Sequence, residues 1–380
     1  MKVPDKIRSN LISHQVDLLR YEAGLRKDIR DMLVQLGRDL NTALVGAGLD
    51  TPRTDWQRAR MRALADEAEA KIKETYGTIS EAHLGEMEGL VEVSSAGVVT
   101  AINEALGADL LIKPKWTSEQ LAKLVGNTLI EGAPSADWWD RQAQILTNAF
   151  SDTLRQGLLR GETIDQLRDR VIGMDLPGVD AVGKVDLRQV PAQGRGVIWE
   201  ARRNAEALVR TSAISIAGEA HLAAYEANAD IMAGYQWCST LDARTTPICR
   251  ALDGLRWDMD WNPIGHDFPY PGPTAHWGCR SFTLPVTKSW EELAREAHGN
   301  SRMAKELDKM GPGQRASMGG PVSGDLTFQG WFDGLPEAKQ KEILGPKRYD
   351  SWVSGNLKFQ DMVDQSGNPL TLEQLRAKSA

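Results

Sequence analysis

Cysteine is scarce in this sequence. There are three in 380 residues, Cys238, Cys249 and Cys279, and all fall in one stretch. So few thiols exclude a disulfide-stapled secreted framework and suit a reducing cytosol. Long apolar runs are missing too. None approaches the roughly 20 residues that cross a bilayer, and the opening MKVPDKIRSN lacks the apolar core of a secretory signal. No membrane partner is expected. No P-loop and no GxGxxG is present, so nucleotide chemistry lacks its usual signature. Positive charge is not in excess: 45 Lys and Arg against 52 Asp and Glu give a net charge of −7. General nucleic-acid binding is therefore not advertised. Tyr and Phe are few, six of each, but Trp numbers twelve. Flat indole rings in loop-like surroundings can anchor irregular backbone or a partner.

What is present is an ordinary soluble balance, 41% hydrophobic and 26% charged, in a chain long enough for two or three domains. The fold class expected is mainly α with a small α+β module. Residues 5–48 read as one long helix. Leu18, Leu25, Ile29, Leu33, Leu36, Leu40 and Leu44 recur at spacings of three, four and seven and make an apolar stripe. The stripe serves either a helical bundle or a helix that docks on another protein. Asp55 to Tyr76 reads as a second helix and Ser80 to about Leu106 as a third. Thr117-Ser-Glu-Gln opens a further helix with capping residues. Ser135 can cap one from Asp137 to Arg160, and a short helix follows to about Ile172.

Residues 1–172 thus form an expected helical domain. Residues 173–196, rich in Gly and Pro, read as a loop or arm, and 197–290 as a module opened by the strong helix Ile198–Asn228. Arg202, Arg203 and Arg210 lie near one face of that helix. They either meet solvent or hold the loops that follow. Three strands are expected after it, at Ala233–Thr240, Leu255–Trp257 and Ser281–Val286. Residues 291–324 read as a charged helix and a flexible linker, and 325–380 as a small helical tail. Trp331, Phe332, Leu335, Ile343, Leu344, Tyr349, Trp352 and Phe359 supply the tail's core. No internal repeat is found.

The chemistry concentrates in Gln236–Val286. Cys238, Cys249, His276 and Cys279 form a C-x10-C-x26-H-x2-C set. Three thiols and an imidazole are a tetrahedral ligand set suited to structural zinc. Buried thiols beside a structural His account for the same residues, as does a Cys249–Cys279 disulfide. Asp242, Arg244 and Thr245 belong to a turn, where Asp and Thr side chains bond nearby backbone. Asp253-Gly254 is a hairpin-type signal. Arg280 can fork onto a carboxylate. A zinc knuckle beside Arg244, Arg250, Arg256 and Arg280 could touch DNA phosphates. A thiol nucleophile paired with His276, or a zinc with an open position, would instead make a hydrolase. No oxyanion-hole signature or third catalytic member accompanies them.

LDARTTPICRALDG followed by a Pro, then H-x2-C-R-S, resembles the signature of the phage Mu F-like head morphogenesis proteins. The residues that carry the resemblance are Asp242, Arg244, Thr245, Cys249, Asp253, Gly254, Pro273, His276, Cys279 and Arg280. Upstream, ALVRTSAISIAGEAHLAAYEAN is similar to that family's Arg-Thr-bearing helix, through Arg210 and Thr211. Many members carry a second Cys three residues before the one matching Cys249; this chain has Thr246 there. The tail phrase LGPKR…LTLEQL resembles a segment that many such proteins carry. The resemblance implies a minor capsid protein rather than an enzyme, bound to the portal protein and acting in procapsid assembly, DNA packaging or genome delivery. Its other implied partners are the major capsid or scaffolding protein and, non-specifically, packaged double-stranded DNA. The implied location is the virion head near the portal vertex, and the host cytoplasm during assembly.

Overall fold

The computed structural model describes residues 3–47, 55–106, 111–173, 196–288, 314–317, 320–323, 326–354, 358–364, 369–371 and 373–375. The expected arm, residues 173–196, and the charged helix at about 290–310 lie almost entirely outside them. Six helices come first: α1 Val3–Gly46, α2 Asp55–Leu106, α3 Ser118–Asn127, α4 Ser135–Arg160, α5 Ile164–Ile172 and α6 Val197–Glu226. The sheet module follows with β1 Met232–Cys238, α7 Pro247–Leu252, β2 Arg256–Trp257, β3 Pro263–Ile264 and β4 Phe282–Thr287. A β5–β6 pair, Gln314–Ser317 and Gly320–Ser323, precedes the tail helices α8 Phe328–Asp333, α9 Glu337–Leu344 and α10 Pro346–Val353. The chain is mainly α with a small α+β module, as expected.

Local chemistry sets several helix starts. Thr117 and Gln120 cap each other reciprocally at α3, with Gln120 N–H to Thr117 Oγ1 at 3.2 Å and Thr117 N–H to Gln120 Oε1 at 2.9 Å. Thr163 and Gln166 repeat the device at α5. Ser135 is the first residue of α4 rather than its cap. The two helices expected between Asp55 and Leu106 are one. Tyr76 and Ile79 are both buried, so the apolar face runs straight through the expected break at Gly77.

The described residues sort into two compact units that do not follow the chain in consecutive blocks. One comprises 21–88 and 122–213; the other comprises 1–20, 89–121 and 214–380. Among the described residues, the named elements of the first unit are all helices. Its core takes Leu33, Leu36, Leu40 and Leu44 from α1, Ile72 and Tyr76 from α2, and Trp139 and Phe150 from α4. Each fully buried Leu is worth roughly 1.5–3 kcal/mol. The α1 stripe is therefore used up inside the protein, and the reading of it as a docking face is corrected.

The second unit holds a four-stranded antiparallel sheet in the order β3-β2-β1-β4. β1 is central, pairing Tyr235 with Trp257 on one side and Cys238 with Phe282 on the other. The strand β3 was hidden from the sequence by its two-residue length. Ile7 and Leu11, Val99 and Ile102, and Tyr225 pack with Tyr235, Cys238 and Leu284. A separate cluster gathers Trp237, Cys249, Leu252, Trp257 and Cys279. The Trp257 indole donates to the Phe268 carbonyl at 3.0 Å, which anchors the long loop that leads to His276. Every apolar residue expected in the tail core is there, joined by Phe328 and by Leu241 from the turn after β1. The Gly-rich stretch read as a flexible linker is instead the β5–β6 pair. Ser317 bridges to Leu241 and Val322 packs on the tail core, so tertiary partners hold a sequence that is loose by composition.

Candidate functional site

The site is built on the turn after β1, on α7 and on the His276–Cys279 turn. Asp242 is the hub of the first. Its carboxylate accepts the Arg244 N–H at 2.9 Å and the Thr245 hydroxyl at 3.3 Å, an Asx-type closure. Thr245 Oγ1 also donates to the Thr240 carbonyl. The Arg280 guanidinium forks onto both Asp242 oxygens, with Nη2 at 2.8 Å from Oδ1. Burial works against the charge on Asp242, but Arg280, helped by Arg244, holds the carboxyl below the usual range. The same bond holds the Arg280 guanidinium above its own usual range.

Pro247 opens α7 at a position where its missing N–H costs nothing. Thr246 precedes it in extended backbone, yet its hydroxyl does not cap the helix. It turns to His276 Nε2 at 2.8 Å. Cys249 Sγ lies 3.2 Å from the same nitrogen and 3.7 Å from Cys279 Sγ. The Cys279 N–H donates to the His276 carbonyl at 3.1 Å, which closes the tight turn holding both side chains. His276 Nδ1 is 2.8 Å from the Trp277 carbonyl. A proton on Nδ1 satisfies that carbonyl and leaves the Nε2 lone pair aimed at the thiols. The two buried thiols are coupled: the contact with Cys279, with burial, raises Cys249 well above the ordinary thiol range, and the contact with Cys249 lowers Cys279 well below it.

Cys249, His276 and Cys279 thus offer three ligand atoms within 4.8 Å of one another. Cys238 is not among them. It neighbours Trp237 on β1, and successive side chains on a strand point to opposite faces. Trp237 packs with Cys249 and Cys279, while Cys238 packs with Tyr225, Phe282 and Leu284. The expected four-ligand set is corrected to three. Beside it lies a cleft of about 20 Å³, bordered by Thr240, Arg244, Thr246, Gly278 and Ser281. That is room for about one water-sized guest.

The other expected residues fall into three places. Asp253 ends α7 rather than turning a hairpin, and Gly254 takes the following positive φ of +82°. Asp253 Oδ1 accepts the Ser239 N–H at 2.8 Å and Oδ2 accepts the Phe328 N–H at 2.7 Å. Pro273 packs against α6 at Gly218, where an added Cβ would lie 2.5 Å from Pro273 Cβ. Arg210 and Thr211 belong to the helical unit. Arg210 Nε is 3.4 Å from the Glu22 carboxylate, and the buried Thr211 hydroxyl donates to the Ala207 carbonyl at 2.7 Å.

The basic face expected around the knuckle does not form as a set. Arg250 is buried, donates to the Ile343 and Ala243 carbonyls, and covers the Phe328 ring. Burial pulls its pKa down to about 10. Arg280 is held by Asp242, which leaves Arg244 and Arg256 as the exposed pair. Gly218 and Ser239 escaped the sequence reading. Ser239 supports the site by donating its hydroxyl to the Cys249 carbonyl at 2.6 Å. A glycine inside the strong α6 pattern was the available signal for Gly218.

Residues 148–284 match the model of the family described as Phage Mu protein F like protein. This segment is Phage Mu F-like. It runs from α4 to β4 and contains every site residue named above from Arg210 to Arg280, but covers less than half of the chain. No curated protein and no solved structure matches the chain. The Phage Mu F-like segment thus takes in α6, the central strand and the Cys/His site together.

Proposed function

We propose that this chain is a minor head protein of a tailed bacteriophage, bound to the portal protein and acting in procapsid assembly, DNA packaging or genome delivery. The family match over residues 148–284 carries this reading; it points to phage head morphogenesis. The portal vertex, the virion interior and contact with packaged DNA are the finer parts of the proposal. The major capsid or scaffolding protein is a further proposed neighbour. No helix among the described residues is long and apolar enough to cross a membrane.

We also read the Cys/His module as a structural part rather than a catalytic one. The cleft at its surface takes a guest of about water size, and the two arginines that border it, Arg244 and Arg280, are both bonded to Asp242. Co-expression with the cognate portal protein tests the reading. A stoichiometric complex, sized by mass photometry, is the expected result. A chain that stays apart from portal at micromolar concentration, and is missing from purified heads, would sink it.

A further inference from the structure

We propose that Cys249, His276 and Cys279 hold one zinc-class divalent cation through three protein ligands, with Thr246 and the adjoining cleft at the fourth corner. Zinc bonds sulfur at about 2.3 Å and imidazole nitrogen at about 2.0–2.1 Å, so a tetrahedral centre sets its sulfurs about 3.8 Å apart and sulfur from nitrogen about 3.6 Å. The two sulfurs here are 3.7 Å apart, and Cys249 Sγ is 3.2 Å from His276 Nε2. These two separations already stand near the spacing a cation requires, and the third falls within 4.8 Å.

The surroundings agree with that donor set. His276 Nδ1 faces the Trp277 carbonyl, the outer contact that orients a ligating imidazole. Both thiols are buried, which keeps the site from water on their side. Thr246 Oγ1 is 2.8 Å from Nε2, so a fourth donor stands at the open side. Thr246 precedes Cys249 by the same three-residue step by which His276 precedes Cys279. Thr246 is a neutral hydroxyl where a thiolate would complete a closed site. The cleft beside it has room for one water in its place. Cys238 has no part in the set, since it packs in the other core cluster. This inference rests on the ligand geometry and stands apart from the portal proposal.

The test is cobalt(II) and zinc titration of the purified full-length chain. One metal per chain is expected, and the cobalt-loaded protein should show thiolate charge-transfer absorption with the intensity of two thiolates. Cys238→Ser should leave stoichiometry and spectrum unchanged. His276→Gln should weaken binding by at least about tenfold, on the scale that loss of even outer contacts to a metal costs. Thr246→Cys should add a third thiolate to the spectrum and tighten binding. A wild-type chain that fails to compete with a micromolar chelator overturns the proposal. So does a spectrum that loses a thiolate on Cys238→Ser, or mass analysis of freshly purified chain showing a Cys249–Cys279 disulfide. Because the wild-type spectrum counts thiolates directly, the proposal remains testable if a Cys variant fails to fold.

Discussion

Arg280 grips both carboxylate oxygens of Asp242, which stands 38 residues earlier in the chain. The pair joins the turn after β1 to the residue that follows Cys279, and so locks the two halves of the Cys/His site. Both side chains are mostly buried. Removing one leaves the other charged without its partner, which costs about 3–5 kcal/mol for a buried pair. Asp242→Ala and Arg280→Ala should each lower stability on that scale in urea unfolding. Arg280→Lys should recover only part, because an ammonium cannot fork onto two oxygens. The Asp242 carboxyl is held below its ordinary value, so its contribution is present above that value and lost as pH falls through the lower, folded one. Equal stability of wild type and Asp242→Ala at neutral pH would contradict the assignment.

Gly218 is required by close packing. Its Cβ would meet Pro273, so Gly218→Ala should cost about 1–3 kcal/mol, as overpacking does. Gly77 and Gly85, in α2, have nothing within 4 Å of an added Cβ. Replacing either by Ala should stabilise by roughly 0.5–1 kcal/mol through helix propensity. Thermal melts of the three variants read the contrast in sign; Gly218→Ala melting at or above wild type would refute the contact.

Asp253 ties the sheet to the tail through the N–H groups of Ser239 and Phe328. Asp253→Ala leaves two buried donors unpaired, at roughly 1–3 kcal/mol each. The tail around Phe328 and Phe332 should then open more readily. Hydrogen exchange should speed up across residues 328–344 before it does in the helical unit. A uniform change across the chain would mean that Asp253 has no special hold on the tail.

Acid should destabilise the protein through two buried histidines. His83, beside Ser212 and edge-on to Trp139, is held down to about 4 by burial. His221, beside His14 and Tyr225, is held down to about 3 by burial and then by His14. Both unfold to a value near 6.5. Between 6.5 and those folded values the unfolded chain binds more protons, so stability falls as pH falls through that window. His83→Gln, which can keep a bond to Ser212, should flatten the acid limb of a plot of Tm against pH. An unchanged limb would show that His83 is already protonated in the fold.

The sequence by itself determined most of the helix pattern, though not the continuity of α2, and also the tail core and the place of the chemistry. These are local properties: apolar spacing on α1, reciprocal caps at Thr117 and Thr163, and the clustering of every cysteine near one histidine. It also determined the likeness to the Mu F-like family, since that likeness resides in residue identities and short spacings. Tertiary structure alone decided which of those residues meet. Strand alternation sends Cys238 away from Cys249, because a one-residue step along β1 crosses the sheet. Burial turned Arg250 from a candidate phosphate contact into a clamp on the Ile343 carbonyl. Packing likewise consumed the α1 stripe that could have met a partner, and held the Gly-rich stretch before the tail as two strands. Each depends on contacts across long separations in the chain, where loop closure and burial, not local propensity, set the outcome.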